Sequence, residues 1–106
     1  MKTLLTINVG LAVSGQSLPL HPVTVLSLLA EAGFRVFSHR VAQSATEPTL
    51  IVLALPPADW FNPLYVLSCH TRQDCIAVQY PDGSGLLVGP GTRIWGVFDP
   101  AFFLPL

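Results

Sequence analysis

The most regular feature of the sequence is an alternation of apolar and polar residues near its start. Five apolar residues occupy every second position: Leu5, Ile7, Val9, Leu11 and Val13. This spacing sends all five side chains to one face of a β-strand. A strand with one apolar face needs other elements to cover that face. The pattern therefore predicts a strand over residues 3–13 in a fold that combines strands with helices.

Two segments carry apolar residues at helical spacing. The first begins near His21-Pro22, where proline suits a first turn, and ends at Gly33, a residue free to adopt positive φ. Its apolar stripe consists of Val25, Leu26, Leu28, Leu29 and Ala32. The second helix begins at Asp59 or at Asn62, each able to cap a helix, and ends by about Thr71. We expect its inner face to consist of Tyr65, Val66, Leu67 and Cys69.

Four further strands follow from composition and turn signals. Phe34–Ala42 is the most polar of them, which suits an edge position. Thr49–Leu55 is apolar on both faces, which is typical of a central strand covered on each side. Cys75–Tyr80 and Leu86–Val88 flank the turn residues Pro81–Ser84 and are expected to form a hairpin.

The resulting β-α-β-β-α-β order predicts an α+β fold, namely a ferredoxin-like sandwich. With right-handed crossovers, its antiparallel sheet carries both helices on one face. An extra C-terminal hairpin strand and an aromatic tail complete the chain, which is expected to be a single domain over 1–106. Residues 1–88 form the sandwich core, and 89–106 form the apolar tail.

The apolar tail is the surplus apolar material of the chain. We expect it either to cover the helix-free face of the sheet or to join a second subunit there. Aromatic side chains supply much of the binding energy at interfaces, which makes five tail residues candidate interface positions. They are Trp95, Phe98, Phe102, Phe103 and Leu104.

Composition indicates a partner. The chain is 51% hydrophobic and 10% charged, whereas about 25% charged residues is typical. A small chain has much surface relative to its volume, so some apolar side chains remain outside the core of a monomer. We therefore expect a homo-oligomer, most simply a dimer, or another protein partner.

Charge and hydropathy argue against two other partners. The net charge is −1 and the basic residues are scattered, so no patch neutralises nucleic-acid phosphates. No apolar stretch is long enough to span a membrane. Residues 1–14 have some features of a signal peptide, but the alternation within them favours a strand, and hence a cytoplasmic protein.

Candidate catalytic and metal-binding residues do not converge in the sequence. His21, His39 and His70 lack the spacing of metal ligands, so no metal or cofactor is expected. Ser68 or Cys69 could act as a nucleophile with His70 as its base. The alternative function is therefore a small enzyme that depends on Cys69, His70 or His39. Cys69 and Cys75 have five residues between them, which suits free thiols and leaves a disulfide as the alternative. Asp59, Asp82 and Asp99 suit cap and turn positions.

Among families with this predicted fold, ACT-type regulatory domains are the closest in layout. The resemblance rests on element order over residues 3–80 and on a glycine-containing loop between the first strand and helix, Ser14, Gly15, Gln16 and Ser17. It implies a small-ligand site at this loop in a dimer interface. The function that we favour is a non-catalytic binding module that acts through protein contacts, and the ACT-like ligand sensor is the alternative.

Overall fold

The computed structural model describes residues 3–12, 20–43, 48–70 and 76–89, and the backbone of 92–97. Eight elements follow one another: β1 (Leu5–Gly10), α1 (Pro22–Glu31), β2 (Arg35–Gln43), β3 (Pro48–Leu55), α2 (Phe61–His70), β4 (Ile76–Gln79), β5 (Ser84–Gly89) and β6 (Thr92–Val97).

The strands form one six-stranded sheet in the order β2-β3-β1-β4-β5-β6, and every neighbouring pair is antiparallel. The prediction of a small α+β fold with an antiparallel sheet and two helices is thereby confirmed. Strand β2 lies at an edge and β3 lies between β2 and β1, as their composition predicted.

Strand β1 supplies the centre of the core. Leu5, Ile7 and Val9 of β1 and Leu11, which follows the strand, are all buried. This confirms the alternation over the described residues, although the strand is shorter than the predicted 3–13, and Val13 lies outside the described residues. The four buried residues share one hydrophobic cluster with residues of both helices, among them Val25, Leu29, Leu64 and Leu67. Both helices therefore pack on the same face of the sheet.

The opposite face of the sheet is also buried at its centre. Ile51 alternates with the core residues of β3 and so points away from the helices, yet it is fully buried. Asn8, Thr49 and Ala77 lie on this face and are at most 9% exposed. All four residues are therefore buried within a single chain.

Helix α1 begins and ends as its sequence predicts. His21 occupies the N-cap position, and its Nδ1 accepts a hydrogen bond from the Val23 backbone N–H at 3.2 Å. Gly33 follows the helix with φ of 97°, the left-handed conformation that favours glycine. Val25 and Leu29 are the buried residues of the predicted stripe, and its other members are partly buried.

Helix α2 presents a different face to the core than we predicted. Its buried residues are Leu64, Leu67 and Ser68. Tyr65, Val66 and Cys69, which we assigned to the inner face with Leu67, are exposed. Residues 64, 67 and 68 have the i, i+3, i+4 spacing of one helical face. The three exposed residues lie outside this face, on the part of the helix that is turned to solvent. The assignment of Tyr65, Val66 and Cys69 to the core was wrong.

The hairpin from β4 to β5 forms where proline and glycine predicted it. Gly83 has φ of 92°, and the Tyr80 N–H donates to the Ser84 carbonyl at 2.8 Å. Asp82 Oδ1 accepts hydrogen bonds from the Ser84 hydroxyl at 2.6 Å and the Ser84 N–H at 2.9 Å. These bonds favour the carboxylate and lower the pKa of Asp82. Asp82 is therefore a turn residue.

The sixth strand, β6, was not predicted. It pairs with β5 along its whole length, from Ser84 opposite Val97 to Gly89 opposite Thr92. We assigned this segment to the apolar tail because glycine and proline at 89–91 interrupt the pattern. The same residues suit a tight connection between two antiparallel strands.

Candidate functional site

A groove runs between α1 and α2 on the outer side of the helix layer. Each helix packs more on the sheet than on the other helix, which leaves an open space of about 480 Å³ between them. Residues from the end of α1 and from the whole length of α2 line it: Leu28, Glu31, Ala32, Asp59, Asn62, Pro63, Val66, Leu67 and His70. We call this space the interhelical groove.

The interhelical groove has an apolar floor. Leu67 is buried at its base, and Leu28 and Ala32 pack against the core beneath α1. Val66 stands on its wall with half of its surface exposed. Covering an exposed apolar side chain with another apolar group is favourable, because it removes apolar surface from water. The groove is therefore suited to an apolar occupant.

Two carboxylates, the Asn62 amide and the His70 imidazole border this apolar floor. Glu31 and Asp59 provide two carboxylates, and the Asn62 side-chain amide donates to Asp59 Oδ2 at 3.0 Å. No Lys or Arg of the described residues lines the groove, and within them Glu31 has no cationic partner. The groove thus combines apolar surface with an excess of negative charge.

A second, smaller cavity lies at the end of the sheet where β1 begins. It measures about 220 Å³, and its lining includes Leu5, Pro56, Pro57, Trp60 and Tyr80. The Trp60 and Tyr80 rings pack edge to face with centroids 6.3 Å apart. Both rings also pack against the hydrophobic core, so this cavity is a shallow depression at the edge of the core.

The histidines do not assemble a site among the described residues. His21 caps α1, and His39 and His70 are exposed on β2 and at the end of α2. No group of three metal-ligating side chains occurs in the part of the chain that the structure describes.

Ser68 and Cys69 do not form a nucleophile–base pair with His70 in the described geometry. Ser68 is fully buried, and its hydroxyl donates to the Tyr65 carbonyl at 2.6 Å. Cys69 is an exposed free thiol. His70 is exposed at the end of the helix, directed toward the groove. Cys75, the second cysteine, lies outside the described residues.

Two groups of predicted site residues lie wholly or partly outside the described residues. The candidate ligand loop, Ser14 to Ser17, is one, and the candidate interface residues Phe98, Phe102, Phe103 and Leu104 belong to the other. Trp95 lies in β6, where its backbone is opposite Leu86 of β5. The structure therefore tests neither the ligand loop nor the proposed tail interface.

The groove residues were missed in the sequence because each had a local explanation. Asp59 and Asn62 were assigned as helix caps, and Val66 as core. The relevant signal depends on knowing which face of α2 is buried. Once Leu64, Leu67 and Ser68 are taken as the buried face, Val66 becomes an outward apolar residue beside Asn62 and His70, at i−4 and i+4.

Neither described helix, at ten residues each, has the length and apolarity needed to cross a bilayer. The chain matches no protein family, and neither the curated proteins nor the solved structures show a significant similarity to it.

Proposed function

We propose that this chain is a non-catalytic binding module that acts through protein–protein contacts, and that an apolar segment of a partner lies in the interhelical groove. The observation that carries the proposal is the position of Val66, half exposed on the wall of a groove whose floor is Leu67. Covering the exposed half of a valine contributes about 1 kcal/mol. Several such contacts along the groove are needed for measurable affinity.

The two alternatives lack a supporting contact among the described residues. The ACT-like sensor depends on residues 14–17, which lie outside them. The cysteine- or histidine-dependent enzyme needs a base beside a nucleophile, and the buried Ser68 hydroxyl instead bonds to a backbone carbonyl. A dimer and a cytoplasmic location stay predictions from composition and from the alternation near the start of the chain.

The ferredoxin-like arrangement is also part of our proposal. It is supported by the order β2-β3-β1-β4 of the first four strands and by the two helices on one face. The full six-stranded order differs from a four-stranded sandwich because β5 and β6 extend the sheet beyond β4.

A designed neutral peptide tests the protein-binding function. The probe is an alanine-based helix with leucines at i, i+4 and i+7 and glutamines on its other faces. Amide chemical shifts of isotopically labelled protein, followed during titration, report where it binds. We expect the changes to concentrate at residues 28–32 and 62–70. A peptide of the same composition with the leucines scrambled around the helix should not bind.

Two matched variants distinguish binding in the groove from nonspecific binding of the peptide. Val66→Asp places a charge on the groove wall and should abolish binding. Val23→Asp makes the same change on α1 outside the groove, at a side chain that is 60% exposed, and should leave binding intact. Equal loss in both variants, or shift changes confined to other surfaces, would contradict the proposal.

A further inference from the structure

We infer that the partner segment is an amphipathic helix with Lys or Arg at one end, and that this cationic end lies beside Glu31 and Asp59. The inference rests on the proposed function, because it specifies the occupant of the same groove. Two observations carry it: the charge at one end of the groove, and the kind of backbone that forms its walls.

The two carboxylates lie at the same end of the groove. Helix α1 ends at Glu31, and Gly33 then passes so close to Pro57 that a Cβ at position 33 would lie 3.3 Å from the Pro57 Cβ. Glu31 and Asp59 are each two residues from this contact, and both line the groove. The end of α1 and the beginning of α2 therefore form one acidic end.

The two carboxylates provide the negative potential of the acidic end, because the dipoles of the two helices offset each other there. The carboxyl end of α1 carries a partial negative charge, and the amino end of α2 beside it carries a partial positive charge. The last turn of α1 contains no basic residue and ends with Glu31 itself. Within the described residues Glu31 has no cationic partner. We therefore expect a cation from another molecule to pair with the carboxylates at this end of the groove.

The walls of the groove favour a helix over an extended segment as its occupant. An added strand gains affinity from unpaired backbone groups at a sheet edge. Both walls here are helices, in which N–H and C=O groups bond to one another along the chain. A segment lying between them must satisfy its own backbone hydrogen bonds, which a helix does.

The length of the groove agrees with this occupant. From Asn62 to His70 the wall of α2 extends about 12 Å along the helix axis. Leucines at i, i+4 and i+7 of a bound helix span about 10 Å. A second copy of the same groove is a poorer occupant, because a two-fold contact would place one concave surface against another, and neither would fill the other.

Three matched peptides test the charge. They share the leucine stripe of the neutral probe and differ at two residues at one end, which are Lys, Gln or Glu. At low salt, the Lys peptide should bind about two- to fivefold more tightly than the Gln peptide, and the Glu peptide more weakly than both. Raising the salt should reduce the difference. Circular dichroism should show that the Lys peptide gains helix on binding.

Two protein variants assign the effect to Glu31. Glu31→Gln should remove most of the preference for Lys over Gln, whereas Asp82→Asn, which removes one charge at the β4–β5 turn, should preserve it. Equal binding of Lys and Gln peptides to the groove would overturn this inference and leave the protein-binding function intact. Absence of binding by all three would instead contradict the proposed function. Dimerisation of the protein with shifts at the groove would overturn the inference in favour of a second copy.

Discussion

Helices α1 and α2 have ten residues each and pack on the same face of the sheet, but they present different surfaces to solvent. The outward side of α1 is mainly small or polar, with Val23 as its exposed large apolar residue. The outward side of α2 carries Tyr65 and Val66, 40% and 50% exposed. Both helices are anchored by buried apolar residues, which are Val25 and Leu29 in α1 and Leu64 and Leu67 in α2. What distinguishes α2 is therefore its outward surface, which suits contact with a partner.

The largest effect is expected when a charge is placed on each side of α2. Leu64→Asp should prevent folding, because an unpaired buried charge costs several kcal/mol, a large part of the stability of a small domain. Tyr65→Asp changes the next residue, on the outward side, and should remain folded. Far-ultraviolet circular dichroism and thermal unfolding measure both. Unfolding of the Tyr65 variant would mean that α2 is anchored through its other face.

A smaller effect is expected from matched serine substitutions in the two helices. Ser68→Ala in α2 removes a buried hydroxyl bonded to the Tyr65 carbonyl and should lower the free energy of unfolding by about 1 kcal/mol or less. Ser27→Ala in α1 changes an exposed residue and should raise it by a few tenths of a kcal/mol, because alanine has the higher helix propensity. Chemical denaturation measures both. A gain in stability from Ser68→Ala would contradict the structural role of its hydroxyl.

An effect of similar size is expected at the carboxyl ends of the helices. The last turn of α2 contains His70, whereas that of α1 ends in Glu31. Glu31→Lys replaces an unfavourable charge by a favourable one and should raise the free energy of unfolding by roughly 0.3 to 1 kcal/mol at low salt. High salt should reduce the gain. A loss of stability would show that Glu31 has a favourable contact in the free protein.

The sequence predicted the elements whose periodicity was simple. The alternation in β1 and the stripe in α1 each identify a buried face, because their apolar residues lie on one side only. Helix α2 has apolar residues around much of its circumference, so periodicity alone could not select Leu64 and Leu67 over Tyr65 and Val66. Its inner face was decided by packing on β4 and β5, which is a tertiary effect.

The groove could not be predicted because it depends on the spacing between two helices. Asp59 and Glu31 are far apart in the sequence, and nothing local relates them. Strand β6 was missed for a different reason. Glycine and proline at 89–91 were taken as the end of the regular fold, although the same residues also suit a connection between strands.

Edge strand β2 contains an irregularity, since Val36 pairs with Ala54 and Ser38 with Leu53, which leaves Phe37 as an extra residue. Beyond this bulge, His39 and Val41 lie opposite the core residues Val52 and Leu50. A bulged strand with Arg35 and Arg40 exposed is a poor template for another strand.

The consequence of this bulge concerns solubility. A chain with 51% hydrophobic residues and an exposed Phe37 is at risk of pairing edge to edge into aggregates. The Arg35 guanidinium lies over the Phe37 ring, 5.3 Å from its centroid, and so keeps charge beside the apolar side chain most available for such pairing. The bulge and Arg35 together oppose the addition of further strands along this edge. The chain can therefore present exposed apolar side chains at the interhelical groove without also presenting an open strand edge at β2.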